Sequence, residues 1–153
     1  MSIENRLAEL GITLPQPAAP VASYVPTVEA GGMLFISGQV SFGEDGQLIK
    51  GRLGEDMDVE AGVAAARRCG INLLAQMKAA LGSLDRVERV VKLGAFVTSA
   101  SDFTAQPKVA NGASELMQDV FGEAGRHARS AVGVPALPLG AAVEVDAIVA
   151  IRG

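Results

Sequence analysis

The chain is short of the residues that cross-link a fold or bind a metal ion. Among its 153 residues there is one cysteine, Cys69, and one histidine, His127. A single thiol cannot form an internal disulfide, and one cysteine with one histidine cannot complete a zinc site of the usual nitrogen and sulfur ligands. The sequence therefore excludes a disulfide framework and a structural zinc site, and it is typical of a protein from a reducing compartment.

Aromatic residues and an excess of basic charge are also missing. The chain has one Tyr, five Phe and no Trp, and 17 acidic residues outnumber 13 basic ones, which gives a net charge of −4. Proteins that bind nucleic acid present a basic surface, and those that bind single strands add aromatic rings on which bases stack. The composition predicts that nucleic acid is not a partner, and it argues against a ribonuclease.

An uninterrupted apolar run that would cross a membrane is missing as well. The longest uncharged stretch, residues 10–28, is long enough to do so, but it contains Pro15, Pro17, Pro20 and Pro26. These prolines block a continuous helix, and the stretch is predicted to be an extended surface arm. The first residues carry an acid and no long apolar core, unlike a secretory signal. We therefore expect no membrane contact and a cytoplasmic protein.

The hydrophobic pattern predicts one α+β domain, which is the size expected for 153 residues. The predicted elements are helix 2–10, strand 33–37, helix 58–81, strand 85–98, a helix that opens near Pro107, and strands 129–134 and 142–151. Within strand 85–98, one face is predicted to hold Val91, Leu93, Ala95 and Val97. Residues 1–22 are assigned to the short helix and the Pro-rich arm, and residues 23–153 to the main domain.

Both long helices are expected on one face of the sheet, so the other face stays open. That open face would collect apolar residues from several strands. Soluble monomers rarely leave a large apolar surface in water, and the pattern therefore predicts contacts between copies of the chain.

The common catalytic motifs are absent. The sequence contains no G-x-G-x-x-G, no P-loop and no G-x-S-x-G. Cys69 falls on the long predicted helix with no cation beside it, which favours a small core residue over a nucleophile. His127 lies three residues before Ser130. The interpretation as a loop histidine near a helix end is nevertheless favoured over that as a general base.

The strongest chemical signal lies near the C-terminus. Arg129 begins a predicted strand, and Ala131 points to the same side and leaves open space above the backbone. An arginine fork above a small residue is suited to bind a carboxylate, and Glu144 on a later strand would serve as an acid, a base or a water-orienting group. The alternative is a structural ion pair between Arg129 and Glu144 at a sheet edge.

The motifs resemble those of the RidA family, also known as the YjgF family. The similar segments are residues 32–39, which end in Ser-Gly-Gln, and residues 128–149, which contain Ala-Arg-Ser, Leu-Pro and Val-Glu-Val-Asp-Ala-Ile-Val. The resemblance covers about residues 22–152. A longer arm and several local departures indicate a longer, less characterised branch of the family.

This resemblance implies a chorismate-mutase-like fold, in which a mixed sheet carries two main helices on one face and three copies form a trimeric barrel. It also implies hydrolysis of reactive 2-imino or enamino acids, such as 2-aminoacrylate, to 2-oxo acids and ammonia. The pockets of such homotrimers lie between subunits and need no metal or cofactor. The alternative function is a non-catalytic trimeric module that binds a small carboxylate metabolite.

The resemblance also implies roles for individual residues. Arg129 would hold the substrate carboxylate and Glu144 would position or activate the attacking water. Ala131 replaces a cysteine found in many relatives, and His127, two residues before Arg129, is a further candidate for the pocket in this branch. The remaining residues at pocket-lining positions are Tyr24, Ser37 and Asn111.

Overall fold

A computed structural model describes residues 2–20 and 22–153. Met1 and Val21, which belong to the predicted helix and arm of residues 1–22, lie outside the described residues. The helices are α1 (Ile3–Glu9), α2 (Val59–Leu81) and α3 (Gln106–Phe121), and the strands are β1 (Thr27–Ala30), β2 (Met33–Val40), β3 (Val87–Thr98), β4 (Ala128–Val134) and β5 (Val143–Ile151). β1 was not among the predicted elements, and β2 continues three residues beyond the predicted end at residue 37. The other bounds follow the predicted elements closely, because each of these elements carries its own hydrophobic period.

The sheet has the strand order β1-β2-β5-β3-β4. Only β3 and β4 are parallel, and the crossover between them contains α3, as a parallel connection requires. All other neighbouring strands are antiparallel. The predicted class, a mixed sheet with two main helices on one face, is confirmed, whereas the trimeric barrel concerns several copies and stays a prediction.

Local signals explain the ends of the two long helices. Asp58 caps α2, since its carboxylate accepts the N–H of Ala61 at 2.8 Å, and Gly82 ends α2 with a φ of +80°. Pro107 lies in the first turn of α3, where its missing N–H costs little. The two helices approach closely at Gly112, where a Cβ would collide with the backbone of Val63.

The inner face of β3 differs from its prediction. Val90 is fully buried and Val91 only half-buried, because the pairing of β3 with β5 shifts between Val90 and Lys92. The extra residue of this β-bulge reverses the alternation on its N-terminal side. The prediction that Val91 shares one face with Leu93, Ala95 and Val97 was therefore wrong, since only the last three are buried under the helices.

The N-terminal helix and part of the arm pack against the main domain. Leu7 is buried in the common core, and Lys78 of α2 forms an ion pair with Glu4 at 3.0 Å. Farther along the arm, the carbonyl of Ala18 accepts a hydrogen bond from Gln76 Nε2 at 3.0 Å. These contacts hold the arm against α2, and the arm residues near Ala18 line a cavity.

The face of the sheet opposite the helices is apolar and open in the single chain. Phe35, Val28 and Val132 are 43%, 52% and 46% exposed there. On β5 the alternate residues turn inward and are buried, so the intervening Glu144 and Asp146 lie on the open face. Within the described ranges, no helix has the length and apolar character needed to cross a membrane.

Candidate functional site

The predicted site residues fall into two groups on opposite faces of the sheet. Leu93 on β3 pairs with Arg129 on β4 and with Ala147 on β5, and both Leu93 and Ala147 are buried under the helices. Arg129 therefore lies on the helix side, whereas Glu144 lies on the open face. No ion pair joins Arg129 to Glu144 among the described residues. The interpretation as a structural pair was wrong, because strand order separates the two by β3.

The first group, which we call the arginine cluster, consists of Asn111, Ser114, His127 and Arg129. Arg129 Nη1 donates to Asn111 Oδ1 at 2.9 Å and to Ser114 Oγ at 3.1 Å, and Nη2 donates to the carbonyl of Pro107 at 3.3 Å. Pro107, Asn111 and Ser114 are spaced four and three residues apart, so they share one side of α3. The structure thus brings Asn111 to Arg129.

The guanidinium of Arg129 is held in place but not saturated. Of its five N–H donors, the three just described bind α3. Within the described part of the chain, Nε–H and one N–H on Nη2 have no protein acceptor. Two such donors suit the two oxygens of a carboxylate. Ala131, half-buried against the core on the same side of β4, adds little bulk beside them.

His127 joins the cluster through Ser114. Its Nδ1 lies 2.6 Å from the carbonyl of Gly125, and its Nε2 lies 2.9 Å from Ser114 Oγ. Partial burial, with a smaller contribution from the charge of Arg129, lowers the pKa of His127 below its ordinary 6.5, and the Gly125 carbonyl opposes that shift. Sequence reasoning missed Ser114, although its spacing of three from Asn111 was a usable signal.

The second group lines a cavity of about 560 Å³ on the open face, which we call the acid pocket. Tyr24, Ser37 and Glu144 all border it, so the structure brings these three predicted residues together. Ser37 is fixed, since its hydroxyl donates to the carbonyl of Val25 at 3.0 Å. The rest of the wall is largely apolar and includes the arm residues Ala18, Ala19, Pro20 and Ala22, as well as Phe42, Pro138 and Leu139.

Glu144 is the one acidic side chain among the described residues that line this pocket. Partial burial, and to a lesser degree the neighbouring carboxylate of Asp146, raise the pKa of Glu144 above its ordinary 4.5. The pairing of β2 with β5 is interrupted between Ile36 and Gln39. This bulge places Ser37 and Gly38 beside the carboxylate.

Gly38 makes room for Glu144, which leads to a first prediction. A Cβ added at Gly38 would collide with the Glu144 carboxylate. The colliding atoms end a flexible, half-buried side chain, so we expect Gly38→Ala to displace the Glu144 carboxylate and to lower the free energy of unfolding by about 0.5–1.5 kcal/mol, the usual cost of a displaced rotamer. In a Glu144→Ala background the same change should cost much less, because the colliding group is gone. Urea denaturation of the four variants measures this difference, and an equal loss in both backgrounds would contradict the packing argument.

The remaining candidate nucleophile does not form a further site. Cys69 is completely buried, its thiol contacts the carbonyl of Val143 at 3.3 Å, and burial raises its pKa far above the usual range. The prediction of a core cysteine is confirmed. Among the described residues, no group of three or more His, Cys, Asp or Glu side chains is arranged to hold a metal ion.

Comparison with known proteins identifies the family. Residues 4–150 match the family model described as "YjgF/chorismate_mutase-like, putative endoribonuclease". The chain belongs to the YjgF (RidA) family. It is 55% identical over 148 residues to Protein TCP17 of Trypanosoma cruzi, a match that covers 96% of this chain and 92% of that protein. It is also 28% identical to a 2-iminobutanoate/2-iminopropanoate deaminase of Dermatophagoides farinae, over 92% of this chain and 95% of the relative.

Solved structures of the family agree with the fold. A putative endoribonuclease from Shewanella oneidensis superposes with a TM-score of 0.95 at 35% identity, and the match covers 99% of this chain and 100% of that chain. RidA from a Psychrobacter species gives a TM-score of 0.60 at 33% identity, over 89% and 94% of the two chains. The chain is therefore closer in overall shape to the Shewanella protein than to that RidA.

Proposed function

We propose that this protein hydrolyses reactive 2-imino and enamino acids, such as 2-aminoacrylate, to 2-oxo acids and ammonia. One observation carries the proposal: Arg129 is fixed by three hydrogen bonds to α3 and keeps two donors for a carboxylate. The deaminase from Dermatophagoides farinae supports the same class of reaction, since it is a relative along nearly its whole length.

Hydrolysis of an imine requires only that the protein orient the substrate and provide a proton acceptor for the attacking water. Arg129 would hold the carboxylate and so orient the adjacent C=N carbon. Water adds to that carbon as Glu144 takes one of its protons, and the nitrogen gains a proton to give a carbinolamine. The hydroxyl of this intermediate then loses its proton, the nitrogen gains a second one, and the C–N bond breaks to leave a carbonyl and ammonia. An enamino acid first moves a proton from nitrogen to carbon and becomes the imine. A carboxylate with a raised pKa is a better base for this step than an ordinary surface glutamate.

The site we propose needs two copies of the chain. Arg129 and Glu144 lie on opposite faces of one sheet, so one substrate meets both only when a second subunit supplies one of them. The apolar open face, with Phe35 and Val132 nearly half exposed, is suited to be covered by such a subunit. We therefore propose a homotrimer with pockets between subunits, as the family resemblance implies.

The direct test is the release of ammonia or 2-oxo acid from freshly generated 2-aminoacrylate. We expect the purified trimer to accelerate release well above the rate in buffer. A confirmed trimer without acceleration would favour the alternative, a non-catalytic module that binds a carboxylate metabolite. The word endoribonuclease in the family description gains no support here, because a net charge of −4 and six aromatic residues are poorly suited to RNA.

Mixed trimers test the two-subunit site separately. Arg129→Ala and Glu144→Gln chains are each expected to be inactive alone. Co-refolded in equal amounts, they should recover activity in about a quarter of the sites, since random assembly then pairs an intact arginine with an intact glutamate. Mass spectrometry of differently tagged chains verifies the mixing. No recovery in verified mixed trimers would show that each site lies within one chain.

A further inference from the structure

The hydrogen bonds of the arginine cluster form one continuous chain. It runs from the carbonyl of Gly125 through His127 and Ser114 to Arg129, with separations of 2.6, 2.9 and 3.1 Å. Ser114 is buried, while His127 and Arg129 are each partly buried. Three elements therefore meet in this chain: the turn after α3, α3 itself and β4.

With a neutral His127 ring, the donors and acceptors of this chain have one consistent assignment. A carbonyl oxygen only accepts, so His127 Nδ1 carries the hydrogen that Gly125 receives. The neutral ring then presents the lone pair of Nε2, and Ser114 donates its hydroxyl hydrogen to it. Arginine only donates, so Ser114 Oγ must accept from Arg129 Nη1. His127 thus turns the Ser114 hydroxyl hydrogen away from the guanidinium and leaves a lone pair facing it.

We propose that His127 is a positioning residue that orients Arg129 through Ser114. His127 does not need to touch the substrate, because it acts on the hydroxyl that holds Nη1. Without the ring acceptor, the Ser114 hydroxyl hydrogen is no longer held away from the guanidinium, and the hydrogen bond from Nη1 to Ser114 Oγ loses its fixed direction. This role of His127 rests on the proposed function in one respect, which is that Arg129 binds the substrate carboxylate.

Two substitutions separate positioning from simple packing. His127→Phe keeps a flat ring but removes the acceptor for Ser114, whereas the amide oxygen of His127→Gln lies where it can replace Nε2. Outer partners of metal ligands commonly affect affinity or activity about 10- to 100-fold, and we use the lower end of that range for an arginine held by a neutral hydroxyl. We expect His127→Phe to raise KM about tenfold with a smaller change in kcat, and His127→Gln to stay within about threefold of the native KM. A native KM in a folded His127→Phe trimer would overturn the proposal.

A second measurement is independent of catalysis. His127 is the one histidine of the chain, so its ring nitrogens give unambiguous NMR signals. At pH 8 we expect the hydrogen on Nδ1 and a bare Nε2, and the Nε2 signal should shift in Ser114→Ala. A hydrogen on Nε2 in the native protein would contradict the assignment.

The failure of this proposal and that of the deaminase function remain distinguishable. A trimer that does not hydrolyse 2-aminoacrylate is titrated with 2-oxobutanoate as a carboxylate probe. Weaker binding of this probe to His127→Phe, with near-native binding to His127→Gln, would support the positioning role even then. Equal binding to the native protein and both variants would reject it.

Discussion

Replacement of Arg129 by alanine is expected to lower kcat/KM for 2-aminoacrylate by roughly 30- to 5,000-fold. Loss of one partner from a desolvated, hydrogen-bonded charge pair typically costs about 2–5 kcal/mol, which corresponds to that range. The fold should persist, because Arg129 is only partly buried on the edge strand β4, and two of its three partners on α3, Pro107 and Asn111, are exposed. Steady-state kinetics, with circular dichroism and light scattering for fold and oligomeric state, measure the effect.

Two further variants sharpen this prediction. Arg129→Lys keeps the charge but lacks the planar fork, so it should recover only part of the lost kcat/KM. Arg126→Ala is the matched control, since Arg126 precedes Arg129 by three residues, is largely exposed and has only a distant carboxylate partner, Glu123, at 4.0 Å. Native kinetics in Arg129→Ala, or an equal loss in Arg126→Ala, would contradict the carboxylate role.

Replacement of Glu144 by glutamine is expected to remove activity and to stabilise the fold at neutral pH. Removal of a general base typically lowers the rate about 10²- to 10⁴-fold. Only the deprotonated carboxylate of Glu144 can act as the base. The kcat of the native protein should therefore rise as the pH increases through the raised pKa of Glu144. The activity loss and the pH profile are measured together by stopped-flow assays of both proteins.

The stability effect follows from the direction of the pKa shift. The folded protein raises the pKa of Glu144 above 4.5, so folding favours the protonated acid and is opposed by the charged one. The favourable contribution is complete below the unfolded pKa and is lost as the pH rises through the folded pKa. Glutamine, which is never charged, should therefore raise the urea midpoint at pH 7 and leave it unchanged near about pH 4.

Asp146 offers the control for this experiment. It lies two residues along β5 on the same open face, and partial burial raises its pKa as well, but it does not line the acid pocket. Asp146→Asn should thus shift stability in the same direction while most activity remains. An active Glu144→Gln variant, or one less stable than the native protein at pH 7, would contradict the proposed role and environment of Glu144.

The positions of the three helices and of four of the five strands were readable from the sequence, whereas β1 was not predicted. The apolar spacing predicted a helix over 58–81, and α2 spans Val59–Leu81, because helix periodicity, the Asp58 cap and the Gly82 stop all act within a few residues. Val91 was assigned to the wrong face of β3. The bulge beside it depends on the partner strand β5 and leaves no signal in the local sequence.

The candidate residues were also readable, but their grouping was not. Arg129 and Glu144 stood out as charges on predicted strands, and local alternation placed Glu144 opposite the buried residues of β5. Only the strand order showed that β3 lies between them and that Arg129 faces the helices.

The sequence by itself thus determined most of the elements, the family and most of the candidate residues of this protein, because period, caps and motifs are local. The tertiary structure alone decided that the arginine cluster and the acid pocket lie on opposite faces, and that Ser114 links His127 to Arg129. These relations join residues from different elements, and only the packing of α3 on the sheet and the order of the strands determine them.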